Sequence, residues 1–125
     1  MGQYFRLINY DKKEYIDAWD FHHGAKLWEW CANNHCRLLP FLLRQSNEGG
    51  GGDIQTEFDL AGHWAKDRIA LVGDYDQSGD FVRAEFEFKD ISKEVAEEYN
   101  DFIDIKEMML EFERERQPEP ALETA

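Results

Sequence analysis

Four consecutive glycines, Gly49–Gly52 in the segment NEGGGGD, constrain this chain more than any other feature. Glycine lacks a Cβ and loses more backbone freedom on folding than any other residue, so neither a helix nor a strand runs through such a stretch. The elements must form on either side of a loop. At 125 residues the two sides have room for one compact domain with a shared core. Hydrophobic residues at 42% and aromatics at 14% supply the apolar surface to fill it.

Before the glycines, QYFRLINY (3–10) mixes aromatic and β-branched residues, runs into Asp11-Lys12-Lys13 and is followed by EYI. That pattern predicts a β-hairpin over residues 3–17. From Gly24, AKLWEWCANN carries Leu27, Trp28 and Cys31 at helical spacing and predicts an amphipathic core helix stopped by Asn33-Asn34. HCRLLPFLLRQS is a dense apolar run in which Pro40 forbids a regular internal helical turn. A kinked or late-starting helix and a buried strand both fit it.

After the glycines, Thr56 and Asp59 resemble a capping box that opens a short helix through Trp64, and RIALVGD (68–74) predicts a strand. Residues 81–88 alternate, with Val82, Ala84, Phe86 and Phe88 against Arg83, Glu85 and Glu87, which is the period of a half-buried strand. The connecting DYDQSGD has turn chemistry at Ser78-Gly79, so a second hairpin is expected over residues 68–89. Ser92 as N-cap and Glu94 in the first turn open a last helix with a stripe at Val95, Tyr99, Phe102, Ile103, Lys106, Met109 and Leu110 that ends before Pro118. The expected fold is α+β, a single domain over residues 1–117. Its antiparallel sheet comes from two β-hairpins with helices on one face and a long C-terminal helix, and residues 118–125 are a proline-containing tail.

The net charge is −13 and is unevenly placed. Residues 1–73 hold 10 acidic and 8 basic side chains, and residues 74–125 hold 17 and 6. Direct binding to nucleic acid or to an anionic bilayer is excluded, because both need clustered Lys and Arg. No stretch has the apolar length of a membrane helix, the N-terminus lacks the layout of a signal peptide, and Arg6 stands where a myristoylation motif wants Ser or Thr. A cytoplasmic location is expected, with Cys31 and Cys36 as reduced thiols. The acidity belongs to the C-terminal half, where it is either a solvated face or a surface for a basic partner.

The strongest short pattern is Asp74-Tyr-Asp76-Gln-Ser78-Gly79-Asp80, with Glu85 at the twelfth place. It matches the EF-hand loop, since a hard cation needs several oxygen ligands, a glycine turn and a closing bidentate carboxylate. Strands rather than helices are expected around it. The choice is therefore between a looser Ca²⁺ or Mg²⁺ site on Asp74, Asp76, Ser78, Asp80 and Glu85 and an acidic turn in which Asp and Ser cap backbone amides. His22, His23, Cys31, His35, Cys36 and His63 are zinc-ligand types without zinc spacing. The glycine run lacks a phosphate-loop signature, and His63, Asp67 and Asp53 have no activated nucleophile beside them, so no catalytic residue is assigned. The aromatic cluster Trp19, Phe21, Trp28 and Trp30, with Trp64 further on, is expected to be mainly core; Trp28 and Trp30 cannot share a helix face, and Trp30 is taken as the one offered to a partner.

The segments MGQYFRLINYDKKEY, GAKLWEW, LLRQSNEGGGGD, HWAKDRIALVGDYD and KDISKEVAEEYNDFI resemble a family of small bacterial and phage-borne proteins that open M-G-Q-Y. The resemblance spans most of residues 1–103. Relatives in that family often carry longer inserts after the glycine run and G-R-W-A-G-D-R where this chain has GHWAKDR, so this is a compact version. The resemblance brings no activity, cofactor or catalytic residue. Together with the charge it implies a non-enzymatic acidic binding protein, with Glu94, Glu97, Glu98, Asp101, Asp104 and Trp30 engaging a basic surface. The concrete version is a phage-type inhibitor or DNA mimic that occupies a nucleic-acid-binding or defence protein. The alternatives are a metal-dependent enzyme or sensor on the Asp74–Glu85 loop and a structural or regulatory domain with a solvated acidic face.

Overall fold

The computed structural model describes residues 2–21, 24–33, 37–46 and 58–116, with side chains as far as residue 104. It is a single α+β domain built on a four-stranded mixed sheet. Strands β1 (Phe5–Asn9) and β2 (Glu14–Ile16) form the expected N-terminal hairpin, with Leu7 opposite Ile16 and Asn9 opposite Glu14. Strand β3 (Ile69–Gly73) lies antiparallel on the other side of β1, pairing Phe5 with Gly73 and Asn9 with Ile69. A two-residue strand, β4 (Lys89–Asp90), runs parallel to β2, so the order is β3-β1-β2-β4 with β1 central.

The second hairpin does not form. Residues Asp80–Glu87 are a helix, α3, which crosses the sheet and delivers the chain to β4 at the opposite edge. The alternation over residues 81–88 conceals a helical period, because Phe81, Ala84 and Phe88 are spaced three and four apart and are the residues that pack inward. Val82 and Phe86, expected on the buried face of a strand, are 54% and 80% exposed. Local chemistry favours the helix. Gly79 at φ 78 turns the chain, Ser78 Oγ accepts the Asp80 amide, and Asp80 sits in the first turn where the helix dipole favours an anion.

Helices therefore cover both faces of the sheet, not one. On the first face Leu7 and Ile16 join the main core with Ala18 and Phe21 of a 3-10 helix (Ala18–Phe21), Trp30 of α1 (Leu27–Ala32) and Leu38, Phe41 and Leu42 of α2 (Leu38–Leu43). Val95, Ala96 and Tyr99 of the long helix α4 (Ser92–Arg116) complete it. On the second face Ile8, Tyr15 and Val72 pack against Ala84 of α3. This split follows from the alternation of side chains along β1, in which Leu7 and Ile8 point to opposite sides.

Among the residues that open α2, Pro40 is third, where its missing N–H has no intrahelical acceptor to lose. This is the late-starting helix. Its last carbonyls are satisfied from outside, since Gly62 N–H donates to Phe41 O at 2.8 Å and Trp64 N–H to Leu42 O at 2.9 Å. The expected helix through Trp64 is absent from the described residues. Thr56 lies outside them, and residues 59–66 are successive turns in which the Ala61, His63 and Ala65 amides reach back three residues. In α4 the cap moves by one residue. Ile91 O accepts the first helical amide from Val95, Ser92 N–H donates to Asp90 Oδ1, and the buried Ser92 hydroxyl accepts the Asp17 amide at 2.7 Å.

No helix among the described residues is long and apolar enough to cross a membrane. Gly62 and Gly79 both have positive φ, but a Cβ on Gly62 would sit 2.5 Å from Arg44 O, whereas Gly79 faces open space. Gly62→Ala is expected to cost clearly more than the roughly 1–2 kcal/mol of the left-handed conformation alone, and Gly79→Ala no more than that. Urea unfolding of the two variants measures the difference.

Candidate functional site

Helix α4 separates apolar from acidic residues. Val95, Ala96 and Tyr99 are buried, and Phe102 and Ile103 half-buried, whereas Glu94, Glu97, Asp101 and Asp104 are exposed. Steps of three, four and three residues put these four carboxylates on one side of the helix. At 1.5 Å rise per residue the row is about 15 Å long with gaps of about 4.5–6 Å. None of the four forms an ion pair among the described residues. Glu98 differs from them: it is half-buried and its Oε1 accepts the Leu60 amide at 3.2 Å, which ties α4 to the turns after the glycine run.

The five residues of the Asp74–Glu85 pattern are spread along a loop and helix. Asp74 Oδ1 accepts the Tyr4 amide at 3.0 Å, and Asp76 accepts both the Ser78 amide and the Ser78 hydroxyl. Those two bonds hold the Asp76 carboxyl below the usual carboxylate range. Asp80 Oδ2 accepts the Tyr10 hydroxyl at 2.8 Å; desolvation first, and then this bond, push the Tyr10 phenol up to about 12. Glu85 Oε2 lies 3.8 Å from the Arg6 guanidinium. Among the described residues no three His, Cys, Asp or Glu side chains converge as a metal group would require. The carboxylates mainly cap amides and anchor α3.

The tryptophans exchange roles relative to the sequence reading. Trp30 is buried and its indole N–H donates to Phe5 O at 3.2 Å, so it belongs to the core and is not offered to a partner. Trp28 is 64% exposed, and Leu27 and Cys31, expected to face inward with it, are exposed too. The short α1 docks through Trp30 because that side chain both fills the core and reaches a strand carbonyl. Trp19, expected in the core with the other aromatics, is instead 60% exposed beside Tyr4.

At the hairpin end of the sheet, two of the segments that carry the family resemblance interlock. In DKKEY, Asp11 accepts the Arg68 amide and guanidinium, Lys12 Nζ lies 2.6 Å from Asp67, and Glu14 Oε1 takes His63 Nε2 at 2.9 Å and the Trp64 indole N–H at 2.8 Å. Asp67 also accepts Asn9 Nδ2 at 2.8 Å. His63 thus pairs with Glu14 rather than with Asp67, and the partner in both motifs is the other motif. Trp64 is buried, as its place in the aromatic cluster predicts, whereas the role of Glu14 escaped sequence reasoning; a carboxylate opening a strand beside an apolar stretch was the available signal. His22, His23, His35, Cys36, Asp53, Gly49–Gly52 and residues 118–125 lie outside the described residues.

Hydrogen bonds from Lys12 and then Asn9 hold the Asp67 carboxyl below the ordinary range. A carboxylate with a depressed folded value stabilises the fold above its unfolded pKa of about 3.9 and loses that contribution as pH falls through the folded value. Asp67→Asn should therefore lower stability at pH 7 by about 1 kcal/mol or less, given its solvent-screened Lys12 partner, and by nothing at low pH. Urea midpoints at the two pH values test this.

Compared with known proteins, the chain matches no family model, no curated protein and no solved structure, so these side chains carry the functional assignment.

Proposed function

We propose that this chain is a non-enzymatic acidic binding protein of the cytoplasm whose α4 carboxylate row engages a basic protein surface. The single observation behind this reading is the exposed row Glu94, Glu97, Asp101 and Asp104, with which no cation pairs among the side chains described through residue 104. Regularly spaced carboxylates on a rigid helix present a negative potential without the mobility of a disordered acidic tail. A nucleic-acid-binding or defence protein, occupied as by a DNA mimic or phage-type inhibitor, is the partner class such a row suits, because its own site is built to pair with spaced anions. The apolar side of α4 holds the row in place against the sheet, and Glu98 takes no part in it.

Replacing Glu94, Glu97, Asp101 and Asp104 together by Lys should abolish partner retention, lowering affinity at least about tenfold at low salt. The check is affinity capture with wild-type and substituted bait, eluted by salt and challenged with duplex DNA. Mimicry requires a partner held by the wild type alone and displaced by both salt and DNA. Equal retention by the two baits would leave α4 a solvated face.

A second reading, divalent-cation binding by the Asp74–Glu85 segment, is favoured by one feature: Gly79 has the positive φ of an EF-hand sixth position and leads directly into a helix. Asp80 would have to leave Tyr10, and Glu85 turn from Arg6, to face a shared ion. If this segment binds Ca²⁺ or Mg²⁺, millimolar ion raises Tm and Asp76→Asn removes the rise. An unchanged Tm for the wild type ends this reading.

A further inference from the structure

The sheet carries a second exposed feature at the end opposite the hairpin. Tyr4, just before β1, is flanked on one side by Asp74, through paired bonds between Tyr4 N–H and Asp74 Oδ1 at 3.0 Å and between Asp74 N–H and Tyr4 O at 2.8 Å. On the other side is Trp19, its ring 6.2 Å from that of Tyr4 and inclined at 47°. Trp19 stands on the 3-10 helix that packs on α4, and Asp20 beside it is exposed. Two tilted rings are exposed here, with the exposed Asp74 bonded to the Tyr4 backbone and the exposed Asp20 next to Trp19 in the chain. Neither Asp20 nor Asp74 is ion-paired among the described residues.

Two residues along β1, the protein fills an environment of the same composition with its own cation. The Arg6 guanidinium lies 4.1 Å from the Phe81 ring centroid and 5.4 Å from that of Tyr15, and its Nε donates to Asp17 at 2.9 Å. Aromatic faces and a carboxylate around a planar cation satisfy both its π attraction and its hydrogen bonds. Tyr4 and Trp19 offer the same group types, two aromatic rings with exposed carboxylates next in the chain or bonded to the Tyr4 backbone. Guanidinium suits such a setting better than ammonium, because it is planar, stacks on rings and is more weakly hydrated.

We propose that Tyr4, Trp19, Asp20 and Asp74 form a docking notch for an arginine side chain of a basic partner protein. This rests on the acidic-binding reading and assigns the aromatic contribution that Trp30 does not make. The carboxylate row on α4 supplies long-range attraction, and the notch supplies the choice of arginine over lysine.

The experiment is a titration at low salt of the intact protein with an arginine–glycine repeat peptide and with the lysine–glycine peptide of equal length. Variants Trp19→Ala, Asp74→Asn and Trp28→Ala are compared, with folding checked by circular dichroism. The arginine peptide should bind the wild type more tightly. Trp19→Ala should weaken it by about threefold to thirtyfold, the span of measured cation–π contacts, and bring it close to the lysine peptide. Asp74→Asn should weaken it as well, and Trp28→Ala should not. Equal binding of both peptides with Trp19→Ala silent overturns the notch and leaves the acidic-binding reading standing. Failure of both peptides to bind at low salt overturns both.

Discussion

The Arg6 guanidinium is the contact on which the second face of the sheet depends. Arg6 projects from the central strand between Tyr15 and Phe81, donates to Asp17 at the end of β2 and to the Phe81 carbonyl in the first turn of α3, and approaches Glu85. A half-buried cation is costly unless its donors and its charge are both met. Here one side chain fastens a strand end and a crossing helix to β1. Burial pushes the Asp17 carboxyl up, with Arg6 opposing the shift, so the pair trades desolvation against attraction. Ile8, Val72 and Ala84 then close a small apolar layer beside it.

The same economy of position explains how an excess of negative charge is tolerated. The acidic side chains of the loop before α3 face backbone amides and hydroxyls, and Glu94, Glu97, Asp101 and Asp104 of α4 face water. The hairpin end pairs its carboxylates with Lys12, Arg68, His63 and Trp64. Uncompensated charge is thereby concentrated on α4 and near Tyr4 and Trp19, away from the contacts that hold the sheet. A fold with its obligations met elsewhere leaves these surfaces available for recognition.

Much of this arrangement could be read from residue patterns. The β1–β2 hairpin, β3 and the amphipathic α4 follow local period, and Pro40 marked where α2 begins. The miss at residues 81–88 has a definite cause. Eight residues satisfy a period of two and a period of 3.6 together, and the choice falls to a glycine turn, a serine cap and a sheet surface that admits Ala84. Trp28 and Trp30 show the same limit: local sequence says they diverge, but only the Phe5 carbonyl decides which one turns inward.

The amino-acid sequence by itself determined an α+β domain and an acidic C-terminal half, because these depend on composition and on interactions within a few residues. Tertiary structure alone decided the side of the sheet taken by α3, the joining of the DKKEY and HWAKDR segments and the placing of Tyr4 between Asp74 and Trp19. Ile8 and Ala84, Glu14 and Trp64, and Tyr4 and Trp19 each stand 15 or more positions apart. No local propensity encodes such a meeting; it is selected by the burial and hydrogen bonding available once β1 has neighbours on both sides.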